Sequence, residues 1–356
     1  MSALSVAVVG LRGIAQGHAR GFAALTDDFD LVAGCDLDKA RGDEFAAKFP
    51  GTMLFTDYAL MLSEVRPEVV VVATNNVSHA ALAIQAAESG VKGIFLEKPM
   101  AVNLGEARAV IGAVKLRKCA LVVNHQRRTL PAFVTMRRLL DEGAIGKPEL
   151  LRGACAGDIL SDGTHTVDIL RHLAGDAEVK SVVGQVVRDK PDPAQPKGMG
   201  YDASGGWRYG HPIESGAMAV IQFATGLRAE LFTGSLQPGR NYQDIEAIGD
   251  AGRLWRAGDQ AKPPLLIQDR SGGGWRPVEV PALTDSVQTS STLENYRQFA
   301  RMIREGGPHP LSGDSAFKDH EVVMAIYESA RLHARVDFPV KQDRYPLEMM
   351  LESGTI

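Results

Sequence analysis

Cysteine is scarce in this chain of 356 residues: Cys35, Cys119 and Cys155 stand alone, with no paired spacing among them. That scarcity excludes a disulfide framework, and the first two lie inside apolar runs, as small core residues of a reducing cytoplasm do. No run approaches the ~18 uninterrupted apolar residues of a membrane span. The N-terminus, Met1-Ser2-Ala3-Leu4, passes directly into Ser5-Val6-Ala7-Val8-Val9-Gly10, without the basic region and long apolar stretch of a secretory signal. Positive charge is not in surplus either. The 39 basic and 43 acidic residues leave a formal net charge of −4, so no basic field exists to neutralise a phosphate backbone. Neither nucleic acid nor a membrane is expected as a partner, and no internal repeat or low-complexity tract occurs.

What is present is ordinary globular composition, 45% hydrophobic and 23% charged, at a length that calls for two domains. Up to residue 124 short buried strands alternate with helices, the pattern of parallel βαβ units. Strands are expected at 4–9, 30–35, 52–55, 69–73, 93–96 and 120–124, with helices at 14–25, 39–49, 58–65, 77–89 and 104–117 between them. Asp57 and Asn76 suit N-caps, Asn103 with Glu106 resembles a capping box, and Gly90 suits a helix C′ position. Beyond 125 the pattern changes. Helices at 131–142 and 164–174 flank a strand at 149–156, and then strands dominate: 178–187, 214–223, 227–235 and 243–248, separated by glycine turns as in a largely antiparallel sheet. Helices at 293–305 and 315–335 follow. The reading is therefore α/β, with a Rossmann doubly wound parallel sheet in residues 1–124 and a second α/β domain in 125–356. Residues 188–212, rich in Pro, Gly and Asp, form a long loop suited to substrate or subunit contact, in which Trp207, Tyr209 and His211 are costly to leave in solvent.

Immediately after the first strand comes Gly10-Leu11-Arg12-Gly13-Ile14-Ala15, opening a helix whose free N–H groups and dipole suit a pyrophosphate. Arg12 replaces the second glycine of G-x-G-x-x-G/A, so Gly13 must supply part of the close approach, and the Arg12 guanidinium has the reach to meet a phosphate itself. The second strand ends at Asp36, near the spacing at which an acid hydrogen-bonds the adenosine ribose. That acid favours NAD over NADP, and Leu37 and Asp38 offer no compensating cation. The fourth strand closes with Thr74-Asn75-Asn76, followed by Val77-Ser78-His79, a second junction that can line the cofactor. The fifth, Gly93-Ile94-Phe95-Leu96, ends in Glu97-Lys98-Pro99. Ligands bind outside the carboxyl ends of such strands, so this charged pair is aimed into the crevice.

These segments, taken with His18, His125 to Arg128, Gly163-Thr164-His165-Thr166-Val167-Asp168 and Ala325-Ile326-Tyr327-Glu328-Ser329-Ala330-Arg331, resemble the Gfo/Idh/MocA oxidoreductases along nearly the whole chain. The resemblance implies a C-terminal domain whose open sheet makes oligomer contacts, a homodimer or homotetramer, and NAD(P)-linked oxidation of a sugar, cyclitol or related polyol. By position it makes Lys98 the lysine near nicotinamide and His165 the histidine of the substrate-domain helix. Many members carry an aspartate four residues before that histidine. Here Ser161 holds that place and Asp162 stands three before. Two proton schemes are open: His165 takes the hydroxyl proton, directly or through Asp162, while Lys98 steadies the alkoxide, or Lys98 is the base. Expected cofactor contacts are Gly10, Arg12, Gly13, Ile14, Asp36, Thr74, Asn75, Asn76, His79, Glu97 and Lys98. Expected substrate contacts are Lys98, Arg127, Asp162, His165 and Asp168, the last able to orient His165 from i+3. His125, Asp162, His165 and Asp168 match no zinc spacing, so no metal is expected. A hydrolase or lyase using NAD for transient oxidation, and a cofactor-sensing protein without turnover, are the alternative functions.

Overall fold

The computed structural model describes residues 2–188, 200–202, 204–237, 242–283, 286–287 and 291–356. The chain divides into two compact units, Met1–Gln126 with Thr284–Phe317, and Arg127–Leu283 with Lys318–Ile356. The first passage lies two residues from the division expected at 124/125; the return of 284–317 to the first unit is not part of that expectation.

The first unit holds a six-stranded sheet of β1 (Leu4–Val9), β2 (Phe29–Cys35), β3 (Met53–Phe55), β4 (Val69–Val72), β5 (Gly93–Leu96) and β6 (Ala120–Val123). Their order is β3-β2-β1-β4-β5-β6 and every neighbouring pair is parallel. The four consecutive valines of β4 are all buried, a run without alternation that suits a strand covered on both faces. The order reverses between β1 and β4, which creates the crevice where such sheets bind ligands.

Helices α1 (Ile14–Ala23), α2 (Lys39–Lys48), α3 (Tyr58–Val65), α4 (His79–Ser89) and α5 (Leu104–Arg117) lie within two residues of the expected bounds. Asp57 caps α3 by accepting from Leu60 N–H at 2.9 Å, Asn103 caps α5 by accepting from Glu106 N–H at 2.8 Å, and Gly90 takes the left-handed conformation at φ 92°. The expected cap Asn76 instead opens a 3₁₀ turn, Asn76–Ser78, and α4 starts after it. A later helix, α8 (Leu293–Glu305), completes this unit. Its stripe Tyr296, Phe299 and Ala300 is fully buried, and Tyr296 packs on Phe22 and Phe95 at ring separations of 4.6 and 5.2 Å.

The second unit is built on a nine-stranded sheet: β7 (Pro148–Cys155), β8 (Val179–Val187), β9 (Gly216–Phe223), β10 (Arg228–Thr233), β11 (Asp244–Gly249), β12 (Gly252–Ala257), β13 (Leu266–Asp269), β14 (Arg276–Pro277) and β15 (Val336–Asp337). The order is β14-β13-β12-β11-β7-β10-β9-β8-β15, antiparallel except for the parallel pair β7–β10. The arm β12–β14 and the edge strand β15 were not expected from sequence, nor was the terminal helix α10 (Pro346–Ser353). Helices α6 (Pro131–Asp141) and α7 (Thr164–Leu173) belong to this unit, as does most of α9 (Gly313–Leu332). Close packing needs glycine here: a Cβ on Gly153 would lie 2.6 Å from Thr166 Cγ2, and one on Gly184 would lie 2.9 Å from the Ile326 carbonyl oxygen. The opposite face leaves Val183, Met218 and Val220 about half exposed.

Of the long loop expected at 188–212, residues 189–199 and 203 lie outside the described residues. Its end forms a short hairpin, Trp207–Arg208 with His211–Pro212, in which Arg208 and His211 are buried and Trp207 is exposed. No helix among the described residues is long and apolar enough to cross a membrane.

The seating of α8 generates a test. A Cβ on Gly21 of α1 would stand 2.4 Å from Cε2 of the fully buried Tyr296. Alanine in a helix is normally worth ~1 kcal/mol over glycine, but overpacking of a closed core costs ~1–3 kcal/mol. Gly21→Ala is therefore expected to lower the unfolding free energy in a urea titration; a gain would show that Tyr296 can yield.

Candidate functional site

The carboxyl edge of the first sheet gathers most of the expected cofactor residues. Gly10 ends β1 at φ 79°, and a Cβ there would lie 2.6 Å from the Ala73 carbonyl oxygen, so the turn needs glycine. Gly13 precedes α1 at φ 41°, has nothing within 4 Å of its would-be Cβ, and no side chain caps the helix. The result is an open cradle at an uncapped helix start, which is what a pyrophosphate requires. Arg12 is exposed beside it and Ile14 is half buried. Asp36 ends β2 and accepts from Leu11 N–H at 2.9 Å and from Asp38 N–H at 3.0 Å. A fixed carboxylate therefore sits beside the cradle, at the ribose position of such sheets. At the end of β4, Thr74 is half buried with its hydroxyl 2.7 Å from that of Ser78, Asn75 is exposed and Asn76 is buried.

Glu97 lies at the end of β5, buried, and is the centre of a hydrogen-bonded chain. Its Oε1 accepts from His18 Nε2 and from Asn124 Nδ2, both at 2.7 Å, and His18 Nδ1 meets the Tyr296 hydroxyl at 2.9 Å. Burial pushes this carboxyl up, but the His18 hydrogen bond and charge, with Lys98 and the Asn124 amide, outweigh it and bring the pKa down to about 2. A permanent anion thus stands beside half-buried Lys98, whose peptide bond to Pro99 is cis. His79 sits beneath this turn rather than at the surface. Its Nδ1 is 2.7 Å from the Pro99 carbonyl oxygen and its Nε2 is 3.1 Å from that of Thr74. Burial lowers its pKa, and the neutral ring, with one N–H, donates to one of these two carbonyls, the nearer being that of Pro99.

In the second unit, Ile159–Gly163 form a π turn leading into α7, with the Asp162 and Gly163 N–H groups both donating to the Asp158 carbonyl at 3.0 Å. The departure of Asp162 from family register falls inside this turn. Its wider i→i+5 bonding rotates less per residue than an α-helix, so α-helical spacing does not dictate which face Asp162 takes. Arg208 Nη1 donates to Asp158 at 2.9 Å and to Asp162 at 2.5 Å. The guanidinium lies 4.8 and 5.0 Å from the ring centroids of Tyr201 and Tyr209. The Tyr242 hydroxyl points at the other Asp162 oxygen at 3.4 Å, and burial raises its pKa so that it stays a donor. Arg127 stacks on Tyr242 at 4.6 Å and forms a bidentate pair with Asp259, both bonds 2.9 Å. His165 is buried in the first turn of α7.

Asp168 is engaged inside the second unit. Its Oδ1 accepts from Arg128 Nε at 2.8 Å, in a buried cluster with Asp319, and burial first, then the Asp319 charge, raises its pKa despite Arg128. It is an internal ion-pair member at 2% exposure. Arg127 and Arg128 are likewise both matched to carboxylates. Sequence reading missed Arg208, Tyr242, Asp158, Asp259 and Glu214. Only Arg208 left a signal, as the hairpin residue between the two aromatics already singled out.

The residues 4–125 match the model of the Gfo/Idh/MocA oxidoreductase family, NAD-binding Rossmann fold, and 153–338 match that family's C-terminal alpha/beta domain. D-apiose dehydrogenase of Paraburkholderia graminis is 28% identical over 98% of the chain and 94% of its own length. The scyllo-inositol 2-dehydrogenase (NAD+) of Bacillus subtilis is 26% identical over 94% of the chain and 96% of its own length. Among solved structures, levoglucosan dehydrogenase in complex with NADH and L-sorbose shares the fold at a TM-score of 0.79 and 24% identity, covering 96% of this chain and 100% of that one.

Glu214 offers a test of the second-unit network. It is buried, accepting from Ile159 N–H and from the Tyr327 hydroxyl, both at 2.6 Å. Burial and then the Asp158 charge raise its pKa from 4.5 to about 7 against those hydrogen bonds. An acid with a raised pKa contributes its stability below about pH 4.5 and loses it as pH rises through about 7. Glu214→Gln, its amide turned to the Tyr327 oxygen, is expected to gain on the order of 2 kcal/mol over the parent at pH 8 relative to pH 4.5. Denaturant titrations at the two pH values give that difference, and an equal effect at both would mean that Glu214 does not titrate.

Proposed function

The chain belongs to the Gfo/Idh/MocA oxidoreductase family, and we propose that it oxidises a secondary hydroxyl of an uncharged sugar, cyclitol or related polyol with NAD. The observation that carries this reading is the placement of Lys98. It follows an anion locked by His18 and Asn124, on the same sheet edge as the glycine cradle and Asp36. The cofactor would be held by Gly10, Gly13 and Ile14 at the helix start, by Asp36, and by the Thr74–Asn76 turn, with Arg12 reaching a phosphate. Bound there, NAD supplies a ring that accepts hydride from the oxidised carbon.

Lys98 donates a hydrogen bond to the reacting hydroxyl oxygen and steadies it as the proton leaves. His165 takes that proton, and Asp162, fixed by Arg208 and Tyr242, orients the substrate or passes the proton on. An uncharged substrate follows from the charge balance of the second unit. Arg208 is matched by Asp158 and Asp162, and Arg127 by Asp259, so neither guanidinium is left unbalanced for a sugar acid. Carboxylates and tyrosines are suited instead to hydroxyl groups. The apiose, levoglucosan and inositol on which the named relatives act are uncharged.

We also infer a homodimer or homotetramer formed through the open sheet face. Val183, Met218 and Val220 are exposed there beside an alternating ladder of Arg152, Glu230, Glu246 and Arg253. Val220→Arg is expected to yield a monomer in analytical ultracentrifugation, while an assembly unchanged by it would place the contact elsewhere.

A panel of neutral polyols and sugar acids, with absorbance at the reduced nicotinamide band, tests the activity. One reduced cofactor per substrate consumed is expected with a neutral polyol. Consumption without reduced cofactor would instead mark transient oxidation. Lys98→Ala is expected to lower kcat by roughly 10²–10⁴-fold with NADH binding retained, and near-normal turnover would remove Lys98 from the chemistry.

A further inference from the structure

Glu214 lies in the segment that leaves the short hairpin, a few residues after Arg208 and His211, and it is buried. Its two oxygens serve two different elements. Oε1 accepts from the N–H of Ile159, the first residue of the π turn, and Oε2 accepts from the Tyr327 hydroxyl of α9, both at 2.6 Å. One side chain therefore ties the segment that supplies Arg208 to the turn that supplies Asp162 and leads into His165.

The surroundings make the charge of this carboxyl sensitive. Its donors are all neutral, and among the described residues no cation pairs with it. The titratable groups that face it are Asp158 from the π turn, Tyr327 from α9 and Tyr345 ahead of α10, with Arg208 and His211 of the hairpin beside Asp158. Arg208 is committed to Asp158 and Asp162. Burial raises both tyrosine hydroxyls, so they stay neutral, and burial lowers His211. A buried acid beside an anion, without a cation of its own, holds its proton to higher pH; burial and then the Asp158 charge bring Glu214 to about 7.

Protonation changes what the carboxyl can hold. Ionised, it accepts at both oxygens through charge-assisted bonds. Protonated, it keeps a neutral and weaker acceptor for Ile159, and its O–H must donate toward Tyr327, which reverses that bond. We propose that Glu214 is a positioning residue of the second-unit site: its carboxylate seats the π turn against the hairpin segment, fixing Asp162 and His165 for the substrate, and the protonated acid loosens that seat. The inference rests on the reading of Asp162 and His165 as substrate-side groups. Turnover then improves as pH rises through the Glu214 ionisation.

Two measurements on the full chain test it. In the first, without substrate, Trp255→Phe and Trp275→Phe leave Trp207, next to Arg208 on the hairpin, as the single tryptophan. Its emission is expected to shift with a midpoint near pH 7, and Glu214→Gln, which mimics the protonated acid, is expected to abolish the shift. Absence of the shift before that substitution, or its persistence afterwards, overturns the proposal. In the second, kcat/KM is followed against pH with the neutral polyol turned over fastest. Glu214→Gln is expected to lower kcat/KM at pH 8 by roughly five- to tenfold, the step from a charge-assisted to a neutral bond, with little change at about pH 5.5. The same variant is expected to be the more stable protein at pH 8, and a chain that is more stable yet slower does not have a folding defect. An equal loss at both pH values would reduce Glu214 to a structural role and overturn the proposal. Absence of turnover on every polyol would instead remove the proposed activity, and the tryptophan titration would still decide the coupling of Glu214 to the hairpin.

Discussion

The buried Glu97 carboxylate is the interaction on which the order of the first unit's sheet edge depends. An isolated carboxylate so buried would be protonated. Here His18 from α1, Asn124 from the end of β6 and, through His18, Tyr296 from α8 close a chain of short hydrogen bonds around it. That chain joins four elements far apart in sequence and holds a negative charge directly before Lys98. His79 secures the next residues by its bond to the Pro99 carbonyl. The lysine is consequently presented from a turn whose neighbours are fixed on both sides, the preorganisation that the hydrogen-bond role proposed for it requires.

Arg208 plays the corresponding part in the second unit. One guanidinium nitrogen serves both Asp158 and Asp162, while two tyrosine rings flank the group. Removing Arg208 would leave two carboxylates facing each other at the entrance to α7. Asp168 and Arg128 form a further buried pair in the same unit.

Much of the fold was legible because its signals are local. The all-valine β4, the caps at Asp57 and Asn103 and the glycine after β1 each announce structure through neighbours within a few residues. The arm β12–β14 was not legible: its strands are short, one follows Pro263 and Pro264, and their pairing is set only by the sheet edge they extend. The α8 stripe was readable as a helix, yet nothing in its residues says that it packs on β5 and α1. The i+3 spacing of Asp168 to His165 is likewise legible, whereas its bond from Arg128, 40 residues away, is not.

The sequence by itself determined the parallel βαβ unit, the glycine turn after β1, the Asp36 terminus of β2 and the Lys98 turn, because backbone geometry and hydrophobic periodicity act between near neighbours. Only the tertiary structure decided which charges meet. His18 finds Tyr296 across 278 residues, Arg127 finds Asp259 across 132, Arg208 finds Asp162 across 46, and Arg41 reaches Asp36 through the start of a helix. Long side chains pair by position in space, and burial then sets the strength of each pair, so neither partner nor protonation could be read from spacing along the chain.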